Sequence, residues 1–131
     1  MKYLHQDKTE KIIQAFYNVY NSLGYGFLEK VYHNAMLIEL KKKGFDCKSE
    51  FPIKVFYETT LVGNYNADII IDDCVIIENK ASEALVKANE YQLINYLKAT
   101  EIEVGLLLNF GKTPEFIRKI FTNDRKRFIK K

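Results

Sequence analysis

At 131 residues, with 47% apolar side chains, nine Tyr and nine Phe, the chain suits a single domain, 1–131, able to bury one core. Charged residues make up 28%, are well mixed and flank no low-complexity tract, which excludes a disordered chain. The net charge of +3 is too small to announce a polyanion binder, but it is unevenly spread: eight Lys and Arg against two Asp and Glu lie between Lys112 and Lys131, leaving −3 on the remainder.

The N-terminal stretch, Met1 to Ile13, has no apolar run of the kind a signal peptide carries. Ile12, Ile13, Phe16, Val19, Tyr20 and Leu23 recur at three- and four-residue steps, which predicts a helix from about Thr9 to Leu23, stopped by Gly24 and Gly26. A second helix is expected from Phe27 to about Lys43. Leu28, Val31, Tyr32, Ala35 and Met36 mark its inner face, three lysines suit the negative end of its dipole, and Gly44 caps it. From Cys47 to Tyr57 the pattern becomes alternating, with Phe51, Ile53, Val55 and Tyr57 on one face, and Pro52 suggests that this strand lies at a sheet edge or begins irregularly. Further strands are expected at Leu61 to Ile71 and Val75 to Lys80, with Asp72-Asp73 as the turn between them.

A helix from Leu85 to Thr100 follows, then an apolar strand from Val104 to Asn109 of the kind buried on both faces. Thr113-Pro114-Glu115 suits a helix start, whereas Phe116 to Phe121 reads as a strand; the strand is preferred. Tight connections make the first three strands antiparallel, and the single helix before the fourth permits a parallel pairing there. The longest apolar runs fall far short of the roughly 20 residues a spanning helix needs, so a soluble, cytoplasmic protein with no membrane contact is expected. Cys47 and Cys74 have no CxxC or Cys/His company, which argues against zinc and for two reduced, buried thiols.

The strongest chemical signal is Asp68 followed by Glu78-Asn79-Lys80. Glu78 and Lys80 share a strand face and Asn79 takes the other. Whether Asp68 joins them depends on the hairpin. A two-residue loop, Asp72-Asp73, pairs Asp68 with Ile77 and turns it away; a three-residue loop, Asp72 to Cys74, or a bulge pairs it with Glu78. Two carboxylates held together repel unless a cation sits between them, and Mg²⁺ is commonly held by one or two carboxylates plus substrate phosphate. Lys80 adds a compact positive charge for a phosphate under attack. The set suits phosphodiester hydrolysis.

Several segments resemble a known family. Gly26-Phe27-Leu28-Glu29-Lys30-Val31-Tyr32 is similar to the motif that names the bacterial GxxExxY proteins. Asn64 to Asp68, Val75 to Ala81, Gln92 to Leu97 and Gly105 to Gly111 resemble four further motifs of that family, in order, from about Ile12 to Phe121. The family is placed in the PD-(D/E)XK nuclease superfamily. The resemblance implies an α/β (α+β) fold with a restriction-endonuclease-like αβββαβ core, a mixed sheet flanked by helices, and a Mg²⁺ (or Mn²⁺)-dependent nuclease acting on nucleic acid, DNA ahead of RNA.

Carried over, Asp68, Glu78 and Glu29 would hold metal, Lys80 would assist the nucleophile, Gln92 would complete the catalytic set, and Tyr96 and Tyr32 would contact substrate. Gln92 and Tyr96 fit a QxxxY pattern. Three departures stand out: the family often has His near Tyr20 and near Asn89, and an apolar residue where Asn79 stands. His5 and His33 match no motif and are expected at the surface. Two other readings remain: a non-catalytic module that binds nucleic acid through the basic end from Arg118 to Lys131, and a partner-binding domain, such as a homodimer, covering Tyr25, Phe27 and Phe56.

Overall fold

The computed structural model describes residues 4–127. Along them run α1 (Gln6–Leu23), α2 (Glu29–Lys42), β1 (Cys47–Tyr57), β2 (Thr60–Ile71), β3 (Val75–Lys80), α3 (Lys87–Lys98), β4 (Val104–Phe110), β5 (Pro114–Ile120) and a 3₁₀ turn at Asn123–Arg125. The strands form one mixed sheet in the order β1-β2-β3-β4-β5, antiparallel except for the β3–β4 pair. This is the expected restriction-endonuclease-like arrangement of strands and flanking helices. The segment after β4 is a strand, and β1, which carries Pro52, is an edge, where a missing N–H costs least.

Two apolar layers sandwich the sheet. On one side, Ile69, Ile71, Val75, Ile77, Val104, Leu106 and Leu108 pack under α1 and α2; on the other, Ile70, Ile76 and Leu107 pack under Leu93, Tyr96 and Leu97 of α3. β3 and β4 carry apolar residues on both faces because both are covered, and each fully buried Ile or Leu contributes on the order of 2 kcal/mol. Gly105 admits α3: a Cβ there would lie 2.6 Å from Leu93 Cδ1.

The ends of the helices shift for local reasons. α1 begins at Gln6, three residues before Thr9, whose Oγ1 instead donates to Gln6 O inside the first turn (3.1 Å). α2 begins at Glu29, not Phe27, because the chain from Gly24 to Phe27 is held open by Tyr32: its hydroxyl donates to Gly24 O (2.7 Å) and accepts from Phe27 N–H (3.2 Å). The Tyr32 ring stacks on Phe110 at 4.5 Å. That contact sets the rotation of α2, so the inner face is Tyr32, His33, Met36 and Leu40. Leu28 and Val31, expected inside, are exposed, and His33, expected at the surface, is buried.

Strand faces change partway along the β1–β2 ribbon. Cys47 and Ile69 belong to the α1/α2 side, yet Ile53 and Ala67 belong to the α3 side. Strict alternation would keep Ala67 with Ile69. The ribbon turns over between them, where Glu50 adopts a left-handed φ of 55° and lies between the paired positions Ser49↔Ile69 and Phe51↔Ala67. Asp68 sits opposite that kink.

Among the described residues no helix is long and apolar enough to cross a membrane. Cys47 and Cys74 are free thiols, half-buried, and burial pushes both up from the ordinary thiol value.

Candidate active site

The site begins with the β2–β3 turn. Asp72 and Asp73 are both left-handed (φ 51° and 57°), and Cys74 N–H donates to Ile71 O (2.8 Å). Asp72 carboxylate oxygens accept from Asp46 N–H (2.9 Å) and pair with the Lys8 ammonium (2.8 Å), which holds this carboxyl below its ordinary value. Cys74 is the extra residue, so Ile71 pairs with Val75 and Ile69 with Ile77. This is the three-residue loop, and it carries Asp68 to the level of Glu78.

Beyond Ile69↔Ile77 the backbone ladder stops and side chains replace it. Glu78 Oε2 accepts from Asp68 N–H (2.8 Å), and Asp68 Oδ2 accepts from Asn79 N–H (2.7 Å). Each carboxylate spends one oxygen closing the end of the ladder. The other oxygen of each makes no hydrogen bond among the described residues.

Electrostatics bind the expected set together. Glu78 is buried, and desolvation first, then the charge of Asp68, pushes its carboxyl up to about 8. Burial also raises Asp68, against the opposing pull of Asn79 N–H, His33 and Lys80. Glu29, the first residue of α2, is raised mainly by desolvation, then by Asp68, while Lys80 and Ala81 N–H pull it down. Glu29, Asp68, Glu78 and Lys80 therefore converge where β2 leaves β3, beneath the start of α2.

Asn109 holds the chain just after Lys80. Its wholly buried amide accepts from Ser82 N–H (3.0 Å) and donates to Ser82 O (2.9 Å), and it lies beside Lys80 in the β3–β4 register. Gly111 leaves room for that clasp, since a Cβ there would lie 2.3 Å from Ser82 O.

Other expected residues divide. Tyr96 is buried next to the acids: desolvation, then the charges of Glu78 and Asp68, pushes its phenol up to about 12. Gln92 lies one helical turn away and lines a groove of about 300 Å³ together with Tyr96. Tyr32 is not brought to the site surface; it is wholly buried and both its hydrogen bonds are spent on the α1–α2 link.

His33 and Glu50 escaped the sequence reading. Together with Glu29, Lys30 and Asp68 they line a hollow of about 280 Å³, and His33 Nε2 is 2.8 Å from Ser49 Oγ. One signal was available for His33, which follows Glu29 by four residues and so shares its helix face. Glu50 had none, because its aim depends on the kink.

The basic end is partly consumed within the fold. Lys126 Nζ donates to Thr100 O (2.9 Å) and Ile102 O (2.6 Å), and Lys119 pairs with Glu90 (2.9 Å). Lys130 and Lys131 lie outside the described residues.

The donor set can be tested against the metal the resemblance implies. Among the described residues no group of three or more His, Cys, Asp or Glu side chains is arranged to hold an ion unaided. That pattern does not suit zinc or an all-protein calcium cage. Two adjacent carboxylates, each with an uncommitted oxygen and one pushed up to about 8 by its burial and then by its neighbour, suit a Mg²⁺-like cation that retains water.

No curated protein matches the chain. The solved structure of a protein titled SSO0001 is similar, with a TM-score of 0.58 and 16% identity over 90% of this chain; the chain spans 60% of that protein's length. At that identity the likeness concerns the fold. A sequence profile of the PD-(D/E)XK nuclease superfamily matches residues 6–120, from the start of α1 to the end of β5, and this chain belongs to that superfamily.

Proposed function

We propose that the chain is a divalent-metal-dependent nuclease of the GxxExxY type, a one-domain cytoplasmic bacterial enzyme that hydrolyses phosphodiester bonds, in DNA before RNA. The observation that carries this reading is the interlocked pair of carboxylates at the end of the β2–β3 ladder, Glu78 on Asp68 N–H and Asp68 on Asn79 N–H, with Lys80 acting on both. Asp68 and Glu78 would hold the cation, Mg²⁺ or Mn²⁺, with Glu29 close enough to act on it from α2. Such an ion supplies charge for the phosphate under attack and lowers the pKa of a water.

The protein's own residues do the rest. The backbone N–H groups of Asp68 and Asn79 fix the carboxylate orientations, so little reorganisation is needed when a cation enters. Lys80 places an ammonium group beside the pair, suited to orienting a nucleophile or a phosphate oxygen. The Asn109 clasp on Ser82 limits how far the end of β3 can shift. Tyr96 walls the site on the α3 side and keeps water from the buried carboxylates.

The test is cleavage of end-labelled single- and double-stranded DNA and RNA with Mg²⁺ or Mn²⁺. Glu78→Gln and Lys80→Ala should each lose at least about 100-fold, the usual scale for removing a positioned charge or general acid–base group. Equal, background-level cleavage by wild type and both variants sinks the reading.

A second reading, a nuclease-fold module that binds nucleic acid without cutting it, is favoured by the ligand count: two carboxylates meet directly, and Glu29 acts on them only through space. It predicts salt-sensitive binding that Mg²⁺ leaves uncut. A homodimer covering the exposed Tyr25, Phe27 and Phe56 is compatible with either reading and is tested by sedimentation over a range of concentrations.

A further inference from the structure

A groove lies between the β1–β2 ribbon and α3, next to the acid pair. Its floor is Tyr96, whose ring is 5.8 Å from that of Tyr65 on β2. Tyr65 and Tyr91 line it from opposite elements and are unusually open to solvent for their size, at 49% and 63%. Tyr91 makes no hydrogen bond or ring contact among the described residues. Flat phenols on both walls, with the amides of Gln92 and Asn95 between them, match the faces and edges of a nucleobase.

The groove does not end there. Val55, Tyr65 and Asn95 also line a second hollow that adds Lys98, and Lys98 lines a third with Phe121, Arg125 and Arg127. Two of these cations are held in place by one ring: Lys98 Nζ lies 5.6 Å and the Arg125 guanidinium 4.5 Å from the centre of Phe121. On α3, Tyr91, Asn95 and Lys98 follow at i, i+4 and i+7, one face of the helix. The track thus starts beside two carboxylates that suit a cation, passes exposed aromatic rings, and finishes at fixed positive charge. Stacking platforms in series with cations are the usual means of holding an unpaired strand.

We propose that this groove is a binding path for single-stranded nucleic acid, with bases stacking on Tyr65 and Tyr91 and phosphates meeting Lys98 and Arg125. It rests on the nuclease reading for direction only: the strand enters at the cations and presents a phosphate to Asp68 and Glu78. Continuous duplex cannot use the groove in this way, because its bases offer no free faces.

The 131-residue chain is titrated, in chelator, with fluorescent oligo-dT, oligo-rU and a blunt duplex of equal length, read by anisotropy. Oligo-dT or oligo-rU should bind about tenfold more tightly than the duplex, and the two arms separate DNA from RNA. Tyr91→Ala should weaken single-strand binding about tenfold, the scale of a lost base–aromatic stack, and leave duplex binding unchanged. Lys98→Glu should weaken it too and flatten its salt dependence. Lys11→Glu, at an exposed position of α1, should change nothing.

Equal affinity for duplex, an unaffected Tyr91→Ala, or full displacement by an oligoglutamate of the same charge would overturn the proposal; the last result would make the groove a peptide site. The two readings fail separately. A wild type that cuts nothing yet binds single strands through Tyr91 keeps the groove and loses the catalysis. A wild type that cuts, with Tyr91→Ala indistinguishable from it in binding, does the reverse.

Discussion

The two ends of the β2–β3 hairpin use the same strands for opposite purposes. From Ile69–Ile71 against Val75–Ile77 the backbone ladder is complete and every side chain is apolar and buried. One residue further on, carboxylates have taken over the ladder's hydrogen bonds, Glu78 buried and Asp68 partly so, with raised pKa values. The first end gains free energy by burial. The second spends some of it on holding charge where water is scarce, a frequent arrangement in functional sites.

That division can be broken most sharply at Glu78. Glu78→Gln should leave the protein folded yet reduce metal-dependent cleavage by about 10³, some 4 kcal/mol of transition-state stabilisation, measured as single-turnover rates. The opposite outcome belongs to its neighbour. Ile77→Ala should cost about 3 kcal/mol in urea unfolding, with the cleavage rate per folded molecule preserved. If Ile77→Ala instead abolished cleavage while still folded, the two ends would not be separable.

A pH series sharpens the comparison further. The Glu78 carboxyl is held up at about 8, above its ordinary 4.5, so the folded chain keeps that proton longer than the unfolded chain does. The associated stability is present below about 4.5 and is lost as pH rises toward 8, at up to roughly 1.4 kcal/mol per pH unit. Melting in chelator should therefore show a decline from pH 5 to 8 that Glu78→Gln flattens. Added Mg²⁺ or Mn²⁺ should flatten it in the wild type as well. A wild-type curve as flat as the variant's would mean that Glu78 is ionised and solvated.

The smallest effect is expected at Asn79, between the two regimes. Its amide is wholly buried, and neither polar atom of the side chain has a partner among the described residues, whereas the equally buried Asn109 amide is bonded to Ser82. Replacing an unpaired buried amide with an apolar group of similar size should relieve desolvation. Asn79→Leu should accordingly raise stability by about 1 kcal/mol in chemical denaturation, while Asn109→Leu should lower it.

Much of this was legible beforehand because it is local. Alternation and apolar runs placed all five strands, and the single helical crossover permitted the parallel pairing that β3 and β4 adopt. Asp68, Glu78 and Lys80 stood out as charges in strands that otherwise read as core. The hairpin register was not legible, since two-residue and three-residue loops both fit Asp72 to Cys74, and the choice lies in the left-handed φ values of Asp72 and Asp73 and their ties to Asp46 and Lys8.

Long-range packing hid the remainder. Tyr32 matched a motif, but its role is set by Phe110, nearly eighty residues away, and by the two backbone groups it bridges. His33 is drawn inside by the same rotation of α2. Period-two reasoning assigned one face to all of β1, whereas the kink at Glu50 divides that strand between two cores.

The extra residue in the β2–β3 turn has a reach beyond its own loop. Cys74 lies about four strand residues, roughly 13 Å, from Glu78 and takes no part in the chemistry. Removing it would leave every acid and the lysine in the chain, yet slide one strand by a single notch past the other and point Glu78 and Asp68 to opposite sides. A one-codon deletion in a turn remote from Asp68 and Glu78 can thus take the proposed site apart, and inspection of those side chains alone would not detect the loss.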